Sequence, residues 1–252
     1  MDAALATRDL GIRYGSFFAV DGVSLDVRRG ARHAIIGPNG AGKTTLVNAL
    51  TGRVAPTRGT IAIDGGDVTR LSERRRVDRG LARTFQINQL FGALSALDNV
   101  LLAVLEREGR TYAFWRSVAS ERRAAAEARE HLAFVGLLDH ADVPVRSLPY
   151  GRRRLVEIAI ALATRPRILV LDEPAAGVPA AESEAIFERI HALPHDLTLL
   201  FIEHDMGLVF RFSNRITVLV GGTVLTEGSP TEIAGDERVR EIYLGRKNRH
   251  AP

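Results

Sequence analysis

The chain has 252 residues, 46% hydrophobic and 25% charged, ordinary values for a globular protein able to bury a substantial core. It contains no cysteine, which excludes disulfides and thiolate-bound metals. Its apolar runs, such as residues 197–202, are strand-sized and too short to span a bilayer. The first five residues lack a basic segment leading into an apolar one, so no secretory signal is expected. The formal charge of +4 would suit an anionic partner, but basic and acidic residues are interleaved without an aromatic stripe, and no nucleic acid is expected.

Residues 6–14 and 20–27 alternate, as in Val23-Ser24-Leu25-Asp26-Val27, and Gly15-Ser16 lies between them, which predicts two strands joined by a turn. Tyr14 stands just before that turn, where its ring either packs or offers a platform for a base. Residues 32–36 read as a short buried strand and 44–50 as the start of a helix. Between them runs Gly37-Pro38-Asn39-Gly40-Ala41-Gly42-Lys43-Thr44-Thr45, which fits G-x-x-x-x-G-K-[ST]. Such a loop cradles a triphosphate in backbone N–H groups at a helix N-terminus. Gly37, Gly40 and Gly42 permit positive φ and close approach. Lys43 is placed to reach the β and γ phosphates, and the Thr44 hydroxyl to ligate magnesium. Lys43 and Lys247 are the only lysines in a chain otherwise rich in arginine. A compact point charge is therefore kept where it sits between phosphates.

Residues 59–65 predict a third strand of an antiparallel sheet, and Glu73-Arg74-Arg75-Arg76 reads as a solvated helix face. From 87 to about 159 the periodicity turns helical. Asp98 is a candidate cap for a helix through Val100, Leu101, Val104 and Leu105. Residues 121–135 place Ala128, Leu132 and Val135 on one face, and Trp115 reads as a packing anchor. Residues 168–173 then give four aliphatics followed by Asp172 and Glu173, the pattern of a central parallel strand whose carboxyl end meets a ligand crevice. There Asp172 would hold magnesium through its water shell, and Glu173 would polarise the attacking water. A helix over 182–193 leads to a second buried strand, 198–202, ending in Glu203, His204 and Asp205. His204 is the candidate contact to a γ phosphate. Residues 215–220 and 223–228 predict a hairpin through Gly221-Gly222, and the tail from Arg246 reads as disordered.

Taken in order, Tyr14, Gly37 to Thr45, Gln86, Leu148-Pro149-Tyr150-Gly151-Arg152, Ile168 to Glu173 and His204 resemble the ATP-binding subunits of ABC transporters across nearly the whole chain. The resemblance implies an α/β P-loop NTPase (RecA-like) fold: a mostly parallel core sheet with an N-terminal antiparallel β subdomain and an α-helical insert. The expected division is 1–86, 87–159 and 160–252. It also implies roles: adenine stacking for Tyr14, magnesium sensing for Gln86, and contact with ATP on an opposing subunit for Leu148, Pro149, Tyr150, Gly151 and Arg152. Magnesium would be held by Thr44, Gln86 and Asp172, and catalysis carried by Glu173 and His204. Arg83-Thr84-Phe85-Gln86, Tyr150-Gly151, Asp172-Glu173-Pro174-Ala175-Ala176-Gly177, Ile202 to Met206 and Tyr243-Leu244-Gly245 resemble the branched-chain amino acid importer subgroup. The implied partners are a second ATP-binding subunit, two membrane permeases that would hold the chain peripherally at the cytoplasmic face of the membrane and, indirectly, an extracytoplasmic solute-binding protein, with ATP and Mg2+ bound.

Two positions depart from the family pattern. Pro149 replaces the usual serine of the signature, leaving Gly151 and the helix N-terminus as donors, with Arg152, Arg153 and Arg154 adding positive charge. Pro179 stands where many members have an aspartate. These prolines keep open a regulatory partner that binds ATP but barely hydrolyses it, and a soluble non-transport member is the third reading.

Overall fold

The computed structural model describes residues 3–84, 90–109 and 118–244. Strands β1 (Ala3–Tyr14) and β2 (Phe17–Arg28) form an antiparallel hairpin, and β3 (Arg32–Ile36) leads through the glycine loop into α1 (Lys43–Leu50). β4 (Arg58–Ile63) and β5 (Gly66–Asp67) return to the first sheet, then α2 (Glu73–Asp78) precedes β6 (Leu81–Arg83). Helices α3 (Ala96–Arg107), α4 (Val118–Phe134) and α5 (Tyr150–Ala163) separate β6 from β7 (Ile168–Asp172). The chain closes with α6 (Ala180–His191), β8 (Thr198–Ile202), α7 (Met206–Phe212), β9 (Arg215–Val220), β10 (Thr223–Gly228), α8 (Pro230–Gly235) and α9 (Glu237–Leu244).

One sheet has the order β2-β1-β4-β5 and is antiparallel; the other runs β10-β9-β3-β8-β7-β6, with β9 to β6 parallel and β10 antiparallel. Strand alternation sends the core residues to two separate clusters. Ala34, Ile36, Leu169, Leu171, Leu199 and Phe201 pack with residues of α3 to α6. Ile35, Ile168, Val170, Leu200 and Ile202 pack on Leu46, Val47 and Leu50 of α1 and on the antiparallel sheet. Both faces of the parallel sheet are thus covered, which is why its strands read as unbroken aliphatic runs.

Three local features differ from the sequence reading. β6 pairs in parallel with β7, but at three residues it is too short to show an alternation. Ser95, not Asp98, caps α3: its hydroxyl accepts from the Asp98 N–H while Asp98, as the third helical residue, reaches back to the Ser95 N–H. The run from Glu73 is not uniformly solvated, because Arg76 is 1% exposed. Its guanidinium donates to the carbonyls of Ala49 (2.6 Å), Leu50 (2.7 Å), Thr69 (3.0 Å) and Leu71 (3.1 Å), capping the C-terminal end of α1 with a cation. Trp115 and the tail from Arg246 lie outside the described residues.

The terminal hairpin is keyed to the core by a buried polar chain. Glu227 accepts from Arg215 Nε (2.9 Å) and from the Thr217 hydroxyl (3.0 Å), so that hydroxyl accepts from His33 Nε2 (2.7 Å). His33 Nδ1 meets no donor among the described residues. Burial pushes the imidazole down to about 4, against the opposing pull of Glu227.

Replacing Arg76 with Met removes a guanidinium donor from four carbonyls, of which Ala49 keeps the Gly52 N–H, and a loss of about 3 kcal/mol in denaturant unfolding is expected. His33 binds its proton less readily folded than unfolded, so its contribution is complete above pH 6.5 and lost as pH falls toward 4. Stability should fall by about 1.4 kcal/mol per pH unit across that window, and His33→Asn should flatten the slope in pH-dependent denaturation.

Candidate active site

The glycine loop folds back on its own lysine. Lys43 Nζ donates to the carbonyls of Gly37 (2.8 Å) and Pro38 (3.1 Å) and is buried at the start of α1. The reason for glycine differs along the loop. A β-carbon on Gly37 would lie 2.1 Å from the Leu219 carbonyl oxygen, and one on Gly42 2.2 Å from that of Ala19, so neighbouring strands exclude side chains there. Gly40 faces open space, and its φ of 80° is the constraint. Asn39 and Gly40 are exposed, Ala41 is buried, and Thr44 is exposed beside partly buried Thr45. The loop therefore presents backbone and a hydroxyl to a ligand from a rigid underside.

The ends of β7 and β8 meet this loop. Burial lowers the Lys43 ammonium below the usual lysine range, while Glu173 and then Asp172 pull it back up, which places both carboxylates in its field. Glu173 follows β7 with φ 49°, a left-handed conformation uncommon for a residue with a side chain, and strain of this kind concentrates at functional sites. Its N–H donates to the Ile202 carbonyl (3.1 Å), and its Oε1 lies 2.5 Å from His204 Nε2. Asp172 is 17% exposed, and its Oδ2 accepts from Arg83 Nη2 (2.6 Å). A hard cation bound with phosphate oxygens needs few protein ligands. An exposed Thr44 hydroxyl and a single strand-end carboxylate fit magnesium in that manner, and among the described residues no group of three or more His, Cys, Asp or Glu is arranged to hold a metal ion by itself.

Tyr14 closes β1 with 52% exposure, paired across the turn with Phe17. Gln86 lies outside the described residues. Of the signature residues, Leu148 is buried, Pro149 caps α5 without a side-chain bond, and Tyr150 and Gly151 begin the helix. A β-carbon on Gly151 would come 2.5 Å from Glu182 Oε2, and one on Gly177 3.5 Å from the Tyr150 ring, so α5 starts against α6 and its preceding loop. The three arginines are engaged within the chain. Arg152 meets His140, Arg153 donates to the Leu148 and Arg146 carbonyls, and Arg154 donates to Glu157 and Tyr150. Among the described residues, no hydrogen bond or ion pair joins the signature to the phosphate loop. Pro179 caps α6.

Sequence reasoning assigned no role to Asn48, Arg83 or Glu203. Glu203 is 5% exposed, and its carboxylate accepts from the N–H of Ala175 (3.2 Å) and of His204 (3.0 Å), tying the exit of β7 to the exit of β8. The available signal was a carboxylate continuing a wholly buried strand.

The ABC transporter family model matches residues 20–176, and a second, for branched-chain amino acid ATP-binding cassette transporters, matches residues 223–247. The chain belongs to the ABC transporter ATP-binding family. This cassette is 40% identical over 248 residues to the high-affinity branched-chain amino acid transport ATP-binding protein LivG of Salmonella typhimurium, covering 96% of this chain and 97% of that one. It matches the ADP conformation of an ATP-binding cassette of an ABC transporter with a TM-score of 0.84 and 30% identity, covering 97% of this chain and 100% of that one. A dimeric, post-hydrolysis cassette bound to ADP and Pi matches with a TM-score of 0.75 and 26% identity, over 90% of this chain and 98% of that one. The cassette is an ATPase whose activity is coupled to transport. Among the described residues, no helix is long and apolar enough to cross a membrane.

Glu203→Ala removes the acceptors of two N–H groups and should cost about 2 kcal/mol in denaturant unfolding. Glu203→Gln, which keeps one acceptor oxygen, should cost roughly half as much.

Proposed function

We propose that this cassette powers an importer of branched-chain or related amino acids, by closing a dimer on ATP and reopening it on hydrolysis. The carrying observation is end-to-end likeness to LivG, reinforced by the match of its C-terminal 223–247 to the branched-chain cassette family. In this reading 1–86 and 160–252 form the ATPase core with its antiparallel β subdomain, and 87–159 is the helical subdomain. Two permeases dock near Gln86 and that subdomain, hold the cassette at the cytoplasmic face of the membrane, and receive solute from an extracytoplasmic binding protein.

Gly37 to Thr45 bind the phosphates, Lys43 neutralises charge on the β and γ groups, and Tyr14 stacks on adenine. Thr44, Asp172 and Gln86 hold Mg2+, which when bound offsets phosphate charge and orients the γ group. Glu173 accepts a proton from the water that attacks the γ phosphorus in line, as the bond to the ADP oxygen breaks. His204, already against the Glu173 carboxylate, steadies it and contacts the γ phosphate. Most of the rate enhancement comes from positioning and charge stabilisation. Among the described residues the side chains of the signature region bond to their own neighbours and none bonds to the phosphate loop, which supports a composite site: Leu148 to Arg152 serve the nucleotide held by a second ATP-binding subunit.

Steady-state ATPase of the purified cassette, at concentrations that allow dimerisation, should fall at least about 100-fold in Glu173→Gln, with ATP then retaining a dimer in size-exclusion chromatography. A wild type as slow as that variant would instead establish the weakly hydrolysing, regulatory reading to which Pro149 and Pro179 point.

A further inference from the structure

Arg32, Arg76 and Arg83 are the buried arginines among the described residues. Arg32 donates to the carbonyls of Leu193, Pro194 and Leu197, and Arg76 to four others, so both serve the backbone. Arg83 donates instead to two side chains: Nη1 to Asn48 Oδ1 (2.7 Å) on α1, and Nη2 to Asp172 Oδ2 (2.6 Å) at the end of β7. Its guanidinium, 6% exposed, bridges the helix that begins at the phosphate loop and the strand that ends in the acidic pair. Arg83 itself closes β6, three residues before Gln86.

We propose that Arg83 is a positioning residue for Asp172, holding Oδ2 so that Oδ1 is left to the magnesium water shell. The planar fork makes this a geometric constraint: one nitrogen is fixed by Asn48, so the other can meet the carboxylate in one orientation only. A carboxylate freed from such a partner rotates about its own bonds, and metal sites lose affinity when the supporting shell is removed. The placement also makes β6 a lever, since movement of that strand shifts Arg83 and, through it, Asp172. This inference rests on the reading of Asp172 as the metal-facing carboxylate.

The test is equilibrium binding of a fluorescent ADP analogue to the full chain, with Mg2+ and in EDTA. Arg83→Lys keeps the charge but loses the fork. It should reduce the ratio of the two affinities by roughly tenfold while leaving the affinity in EDTA unchanged. Asn48→Ala, which frees the other end of the guanidinium at a partly buried position, should lower the ratio in the same direction, and it decides the matter if Arg83→Lys does not fold. In an Asp172→Asn background Arg83→Lys should produce no further loss, because the group it positions is gone. An unchanged ratio in the folded variants, or a full additional loss in that background, overturns the proposal. A wild type whose binding is indifferent to Mg2+ would overturn the metal-facing reading of Asp172 itself, a result distinguishable from failure at Arg83.

Discussion

Parallel hydrogen bonding of β3 to both β8 and β9, and of β7 to both β8 and β6, obliges all five strands to end at one edge of the sheet. The groups that follow those ends are therefore neighbours in space although far apart in the chain: the glycine loop after β3, Asp172 and Glu173 at β7, and Glu203 and His204 after β8. Hydrophobic burial on both faces enforces this arrangement. Residues of one parity are locked against α1 and the antiparallel sheet, and those of the other against the helices, so a slip of one residue in any strand would turn aliphatics out of their cluster. The site inherits its geometry from that register.

At this edge the chain concentrates charge that would be costly if unpaired. Lys43 is buried but satisfied by the carbonyls of its own loop, and it lies in the field of two carboxylates. Arg83 matches Asp172, His204 matches Glu173, and two backbone N–H groups match Glu203. Each pairing gives a buried or half-buried polar group a partner while fixing its direction. The left-handed backbone at Glu173 shows where conformational strain is tolerated for that purpose.

Arginine does structural work elsewhere that its charge alone would not suggest. Arg76 ends α1, and Arg32 gathers three carbonyls between α6 and β8. Both add guanidinium donors to carbonyls at and beyond the ends of helices, at α1 alongside the turn through Gly52 that already closes it. The helix carrying the signature, by contrast, starts with a proline that offers no side-chain donor or acceptor, and its arginines turn onto neighbouring carbonyls, His140 and Glu157.

The sequence by itself determined the kind of site and the kind of fold. A glycine loop with a lone lysine between a buried strand and a helix, and aliphatic runs ending in carboxylates, are local patterns whose chemistry survives without coordinates. The terminal hairpin through Gly221-Gly222 was legible for the same reason, because turn and alternation are short-range signals. Only the tertiary structure decided what long-range packing controls. The burial of Arg76 depends on where α1 ends relative to α2, and the fork of Arg83 needs Asn48 and Asp172, far apart in the chain, to be brought within reach of one guanidinium. The glycine requirement at Gly37 and Gly42 came from carbonyls of β9 and β2. A pattern can announce that a backbone must approach closely, but which neighbour it approaches is set by the sheet that forms around it.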